Sequence, residues 1–186
     1  MRPVRREELM DLSTYERARA EIRPGVLEAK RRRRVHVGGA LTFLFENAAT
    51  VRYQVQEMMR AERMTREEDV RHELETYNEL LGGKGELGVT LLIEIPDPAE
   101  RDRKLREWLA LPRHLYLQTA DGRKVRATFD PRQVGEDRLS SVQYLKFDVG
   151  GEVPVAAGAD LPGLTVEARL DEEQREALRA DLASDG

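Results

Sequence analysis

The chain has 186 residues, a net charge of −4, 40% hydrophobic and 35% charged residues, and no cysteine. One sizeable core fits that length, so a single domain over 1–186 is expected, with a helical segment over 1–33 and a sheet with packed helices over 34–186. Disulfides, thiolate metal sites and iron–sulfur clusters are excluded by composition, general nucleic-acid binding is disfavoured by charge, and no apolar run approaches the ~20 residues of a membrane helix. The N-terminus has no apolar stretch of the kind a signal peptide needs, so a soluble cytoplasmic protein is expected.

In chain order, Ser13-x-x-Glu16 has capping-box spacing and predicts a helix from about Thr14 to Ile22. Pro24, which lacks the N–H, predicts a break there and a second helix reaching Lys30. A basic run, Lys30 to Arg34, closes the segment. Val35–Val37 and Leu41–Phe45 flank Gly38-Gly39 and predict a hairpin.

The stretch from Asn47 to Arg63 is helical by period, with Val51, Val55, Met58 and Met59 on one face. Thr65-x-x-Glu68 predicts another capped helix, carrying Val70, Leu74, Tyr77 and Leu81 and ending at Gly82-Gly83. Val89 to Ile95 reads as an apolar strand. Asp97-Pro98-Ala99-Glu100 joins an N-cap to a proline in the first turn, and Leu105, Trp108 and Leu109 give that helix its buried face.

Residues 114–119 and 123–129 flank Asp121-Gly122, the chemistry of a tight hairpin turn. Further strands are predicted at Ser141–Val149, Val153–Ala157 and Leu164–Leu170. Asp171-x-x-Gln174 opens a last helix with Leu178 and Leu182, and fraying is expected over Ala183–Gly186. The order fits α+β: a largely antiparallel sheet with helices packed on it. With at least six strands some sheet edge needs cover, and a closed two-fold homodimer is expected over a monomer.

One block goes beyond periodicity: Leu44-Phe45-Glu46-Asn47, the run from Tyr53 to Glu62, the run from Glu73 to Leu80, and Ile93-Glu94-Ile95-Pro96. With Tyr15, Ile22-Arg23-Pro24 and Ser141 to Phe147, it resembles the bacterial family called domain of unknown function 3501 along nearly the whole chain. Members of that family often carry Asp-His-Pro where this chain reads Asp160-Leu161-Pro162, so no role of that histidine carries over. The resemblance implies no activity. It implies a neighbourhood of rubrerythrin-like and iron–sulfur reductase-like genes, and hence a partner in oxidative-stress or iron-linked redox physiology.

Stepping 100° per residue places Glu62 among Val51, Val55 and Met58, with Gln54 on the flank. Glu62 is then either a fraying last turn, a buried ion pair joining two helices, or part of a polar pocket. The pocket would draw on Glu46, Gln54, Glu57, Arg60, Glu62, Glu75, Tyr77, Asn78 and Glu94 and would take a cation or small polar ligand. On the buried-face placement, removing Glu62 should cost more stability than removing Glu57.

Carboxylate metal sites in helical bundles usually include a Glu-x-x-His pair, which is missing here, and His36, His72 and His114 are scattered, so no metal or cofactor is implied. Neither a nucleophile elbow nor a phosphate loop is present. Two readings remain. The first is a non-catalytic binding or accessory protein that uses the polar helices and the basic run for docking. The second is an enzyme or metal-binding protein with a carboxylate-rich polar pocket.

Overall fold

The computed structural model describes residues 1–184. Its elements run α1 (Leu12–Arg31), β1 (Arg34–Val37), β2 (Leu41–Phe45), α2 (Ala48–Ala61), α3 (Glu67–Asn78), β3 (Glu86–Ile93), α4 (Pro98–Glu107), α5 (Leu111–His114), β4 (Leu115–Gln118), β5 (Lys124–Arg126), β6 (Val142–Asp148), β7 (Ala156–Leu161), β8 (Leu164–Arg169) and α6 (Glu172–Ala183). The strands form two four-stranded sheets, β1-β2-β3-β6 and β5-β4-β7-β8. Every pairing is antiparallel. The fold is α+β.

Alternation along the strands builds the main core. Phe43, Leu91, Leu145 and Phe147 of the first sheet meet Leu115, Leu117, Ala157 and Ala159 of the second, and Leu105, Trp108 and Leu178 join them from the helices. A second apolar cluster lies among the helices: Val51, Val55 and Met59 of α2 pack with Val70 and Leu74 of α3 and with Val4 and Leu9 of the N-terminal segment. That segment is held by two side-chain amides that mimic strand partners. Gln56 pairs with both backbone groups of Met10 (2.6 and 3.2 Å), and Asn78 with both of Val4 (2.9 Å each).

The sheets meet along a seam. Thr128 and Lys146 exchange backbone hydrogen bonds of 2.8 Å each, and the Gln133 amide pairs with the N–H and C=O of Tyr144 at 2.8 and 2.9 Å, so the outer edge of β6 is occupied. On the opposite side β1 approaches β8, and Gln174 of α6 donates to the Arg34 carbonyl at 2.8 Å. The β6 edge is thus covered by the chain itself, and the β1 edge takes one bond from α6.

Several boundaries differ from expectation. The first helix is continuous through Pro24, and its cap is Asp11, which accepts from the Thr14 N–H, in place of Ser13. Pro24 is exposed, so its ring meets solvent and the lost N–H removes one bond, while packing of α1 on α2 holds the helix together. The Thr65 box does not form: α3 begins after Arg66 without a side-chain cap, and it ends at Asn78, before the glycines. The strand expected over Val153–Ala157 begins at Ala156 and runs to Leu161. By contrast Asp97 caps α4 at 2.7 Å, and Asp171 and Gln174 cap α6 reciprocally. Of the expected fraying, Asp185 and Gly186 lie outside the described residues.

Candidate functional site

The carboxylates expected to share a pocket are divided among separate partners. Glu46, at the end of β2, is buried and accepts from the hydroxyls of Thr50 on α2 (2.5 Å) and Thr90 on β3 (2.7 Å). Lys30 lies near it, its ammonium 5.4 Å from the centre of the Tyr53 ring. Burial lowers the Lys30 pKa, and the carboxylates of Glu46 and Glu57 oppose that shift.

Glu57, on α2, receives two bonds from the Arg19 guanidinium (2.7 and 2.9 Å) and one from the Tyr15 hydroxyl (2.6 Å). Arg60 stands 3.7 Å away from the same carboxylate. These contacts clamp α1 to α2.

Glu62 is exposed, contrary to its predicted place on the apolar face. The helix stops at Ala61, Glu62 is the cap, and Arg63 turns the chain with φ of +52°, so the 100° step no longer applies. Glu75 is exposed on α3. Asn78 is engaged with Val4, and Gln54 bonds Tyr77. Glu94 sits beyond β3 and accepts from the Thr42 hydroxyl at 2.5 Å, while the Thr42 oxygen faces His36 Nδ1 at 2.9 Å. Among the described residues no group of three His, Asp or Glu side chains could hold a metal ion.

The expected stability order therefore reverses: Glu57→Gln should cost more than Glu62→Gln. Hydrogen bonding from Arg19, in the first place, lowers the Glu57 pKa to about 2. A depressed carboxylate contributes stability that is complete above its unfolded pKa of about 4 and is lost as pH falls through the folded value. With the Glu57 side chain 19% exposed, the contribution is about 2 kcal/mol once solvent screening is allowed for. Thermal midpoints of the wild type should fall more steeply between about pH 4 and pH 2 than those of Glu57→Gln. Parallel curves, or a larger loss in Glu62→Gln, would contradict this.

Glu62 lines a polar surface cleft with Arg63, Arg66, Glu68, Asp69 and His72, and Glu94 a shallow one beside Ile95 and Arg101, but neither brings the predicted carboxylates together. A cavity of about 600 Å³ opens between α3 and the outward face of β6, rimmed by the segment 128–133. Glu73 and Tyr77, four residues apart on α3, form one wall; Tyr144 and Lys146, two apart on β6, form another; Phe129 lines the rim. Tyr144 is 48% exposed, an unusual position for a ring on an otherwise packed sheet. Gln133 ties the rim to β6 through the Tyr144 backbone. Burial raises the pKa of Glu73, with a smaller contribution from Glu62, and burial likewise raises that of Tyr77.

Tyr77 is shared by this cavity and the sequence-predicted pocket. Glu73, Phe129, Tyr144 and Lys146 were missed. The signal for Tyr144 was present in the strand alternation, since Gln143, Leu145 and Phe147 face the core and leave Tyr144 and Lys146 on the outside. Nothing local linked that face to α3.

The sequence profile of a family described as protein of unknown function (DUF3501) matches residues 3–182. The chain belongs to the DUF3501 family. A crystal structure titled as a novel protein of unknown function from Burkholderia pseudomallei is similar to this DUF3501 chain at 27% identity, with a TM-score of 0.88, covering 97% of this chain and 100% of that one. Comparison with curated proteins finds no match. No helix among the described residues of this DUF3501 protein is long and apolar enough to cross a membrane.

The basic run is also placed. Arg31 reaches Glu173 at 2.7 Å, Arg32 reaches Glu176 at 3.9 Å and Arg33 reaches Asp181 at 2.7 Å, all on α6. Of these three arginines from the run expected as a docking surface, Arg33 is buried in its pair, while Arg31 and Arg32 keep exposed side chains.

Proposed function

We propose that this DUF3501 protein is a non-catalytic cytoplasmic binding protein whose ligand seat is the cavity between α3 and β6. The observation that carries the reading is a 600 Å³ space walled by Tyr77, Phe129 and Tyr144. That volume lies in the range of small-molecule sites, and aromatic walls supply contact area at little entropic cost. Of the carboxylates that an enzymatic reading would draw on, Glu46, Glu57 and Glu94 are engaged by threonines, arginine and tyrosine, and Glu62 and Glu75 are exposed.

The test is amide-resolved NMR on labelled protein with phenol, indole and benzylamine as probes. Shifts should cluster at 73–80, 128–133 and 144–146 and should vanish in Tyr144→Ala. Absence of shifts, or a cluster elsewhere, would overturn the reading. An accessory role beside a rubrerythrin-like or iron–sulfur reductase-like system belongs to the same proposal, and it has its own test. Tagged protein from its native cell should bring down such a partner in near-stoichiometric amount, and recovery of the tagged chain alone would remove that role.

A further inference from the structure

The cavity carries charge as well as aromatic surface. Asp130 at its rim is neutralised by Arg132, whose guanidinium donates to it at 2.6 Å. Glu79 is exposed at the rim and acts electrostatically on the same Arg132, whereas Glu73 and Lys146 are partly buried, neither side chain has a hydrogen-bond or ion-pair partner among the described residues, and both line the same space from different elements. Tyr77 and Phe129 are partly buried as well. A partly desolvated charge without a partner is a standing cost, and it is relieved when a ligand supplies the counter-charge.

We propose that the cavity binds a small amphoteric molecule, a free amino acid with an apolar side chain, its ammonium group at Glu73, its carboxylate at Lys146 and its side chain among Tyr77, Phe129 and Tyr144. The proposal rests on the cavity being a ligand seat and adds the chemical class. The ammonium group meets a carboxylate beside aromatic faces, which attract cations through the ring quadrupole. The ligand carboxylate meets the ammonium of Lys146. Burial of the Glu73 carboxyl, which raises its pKa, fits a group that gains by acquiring a cationic partner. Uncharged fragments satisfy the rings alone. Purely cationic ligands leave Lys146 unpaired, and purely anionic ones leave Glu73 unpaired.

The test compares L-phenylalanine with L-phenylalanine amide, which lacks the carboxylate, and N-acetyl-L-phenylalanine, which lacks the ammonium, each titrated against the full chain by NMR. L-Phenylalanine should bind at least about tenfold tighter than either analogue, the effect of roughly one satisfied charged contact at 1.4 kcal/mol per decade. Glu73→Gln should erase the preference over the N-acetyl compound and leave the preference over the amide. Lys146→Met should do the reverse. Both side chains are outside the core, and an unchanged thermal midpoint would show that each variant folds.

Equal binding of the three compounds at the cavity would overturn the amino-acid assignment while leaving the cavity a ligand seat. Failure of these compounds and of phenol, indole and benzylamine alike to shift residues 73–80, 128–133 and 144–146 would overturn both. Loss of all binding in both variants, with folding intact, would also overturn the assignment, since each charge is assigned to one end of the ligand.

Discussion

Asp181→Ala should lower the stability of the fold by about 3–5 kcal/mol, the loss expected when one member of a buried ion pair is removed. Asp181 and Arg33 have side chains only 9% and 11% exposed, joined by two bonds of 2.7 and 2.9 Å. Asn47, the cap of α2, adds a third bond to the same carboxylate at 3.1 Å. One aspartate thereby connects the last helix to the turn after α1 and to the start of α2. Truncating it leaves the Arg33 guanidinium partly buried with the Ala29 carbonyl as its remaining acceptor. The exposed Arg31–Glu173 pair of the same interface is the comparison: Glu173→Ala should cost under about 1 kcal/mol. Urea unfolding of both variants reads the difference directly. A loss in Asp181→Ala as small as that in Glu173→Ala would show that the buried pair does not lock α6 in place.

Gly88→Ala should be of similar size, about 3 kcal/mol or more, through steric conflict in place of lost attraction. A Cβ at Gly88 would lie 1.8 Å from the carbonyl oxygen of Leu80 and 3.1 Å from the N–H nitrogen of Gly82, and these are backbone atoms that cannot swing aside. The backbone after α3 presses on β3 at this residue, and Gly88 also accepts the Glu46 N–H at 2.9 Å. Displacing that segment would move Leu81 out of the helical cluster and Leu80 at the cavity wall. Gly25, inside α1 with open space around it, is the control, since alanine there relieves the entropy cost of a helical glycine and should leave the fold as stable or more so. Equal midpoints for Gly88→Ala and the wild type would refute the close approach. In the cavity variant series Gly88→Ala should also weaken any ligand binding, because the Leu80 wall moves.

Elements whose chemistry is local were legible from the residues alone. The hairpin at Gly38, where φ is +62°, the turn at Gly122, where φ is +87°, and the caps at Asp97 and Asp171 all depend on groups within three or four positions of one another. Local rules failed where a neighbour distant in sequence decided the outcome. Pro24 stays inside α1 because that helix packs along α2; the Ser13 box loses to a cap at Asp11, and α3 starts after Arg66 with no side-chain cap in place of the Thr65 box.

For the candidate site the division is sharper. Glu62 was placed by extending helical geometry one residue past the point where the helix ends, which periodicity cannot detect because a single residue's exit from register leaves no mark in the pattern. Glu57, Asn78 and the basic run looked available because Arg19, Val4 and α6 are far from them in sequence; the partners that satisfy them are 38, 74 and, for Arg33, 148 positions away. Residue patterns alone were enough for the α+β composition, the capped starts of α4 and α6 and the hairpin turns. Which charges are paired and which are not came from the packing, because pairing depends on side chains meeting across elements, and the same packing brought Glu73 and Tyr77 of α3 over Tyr144 and Lys146 of β6.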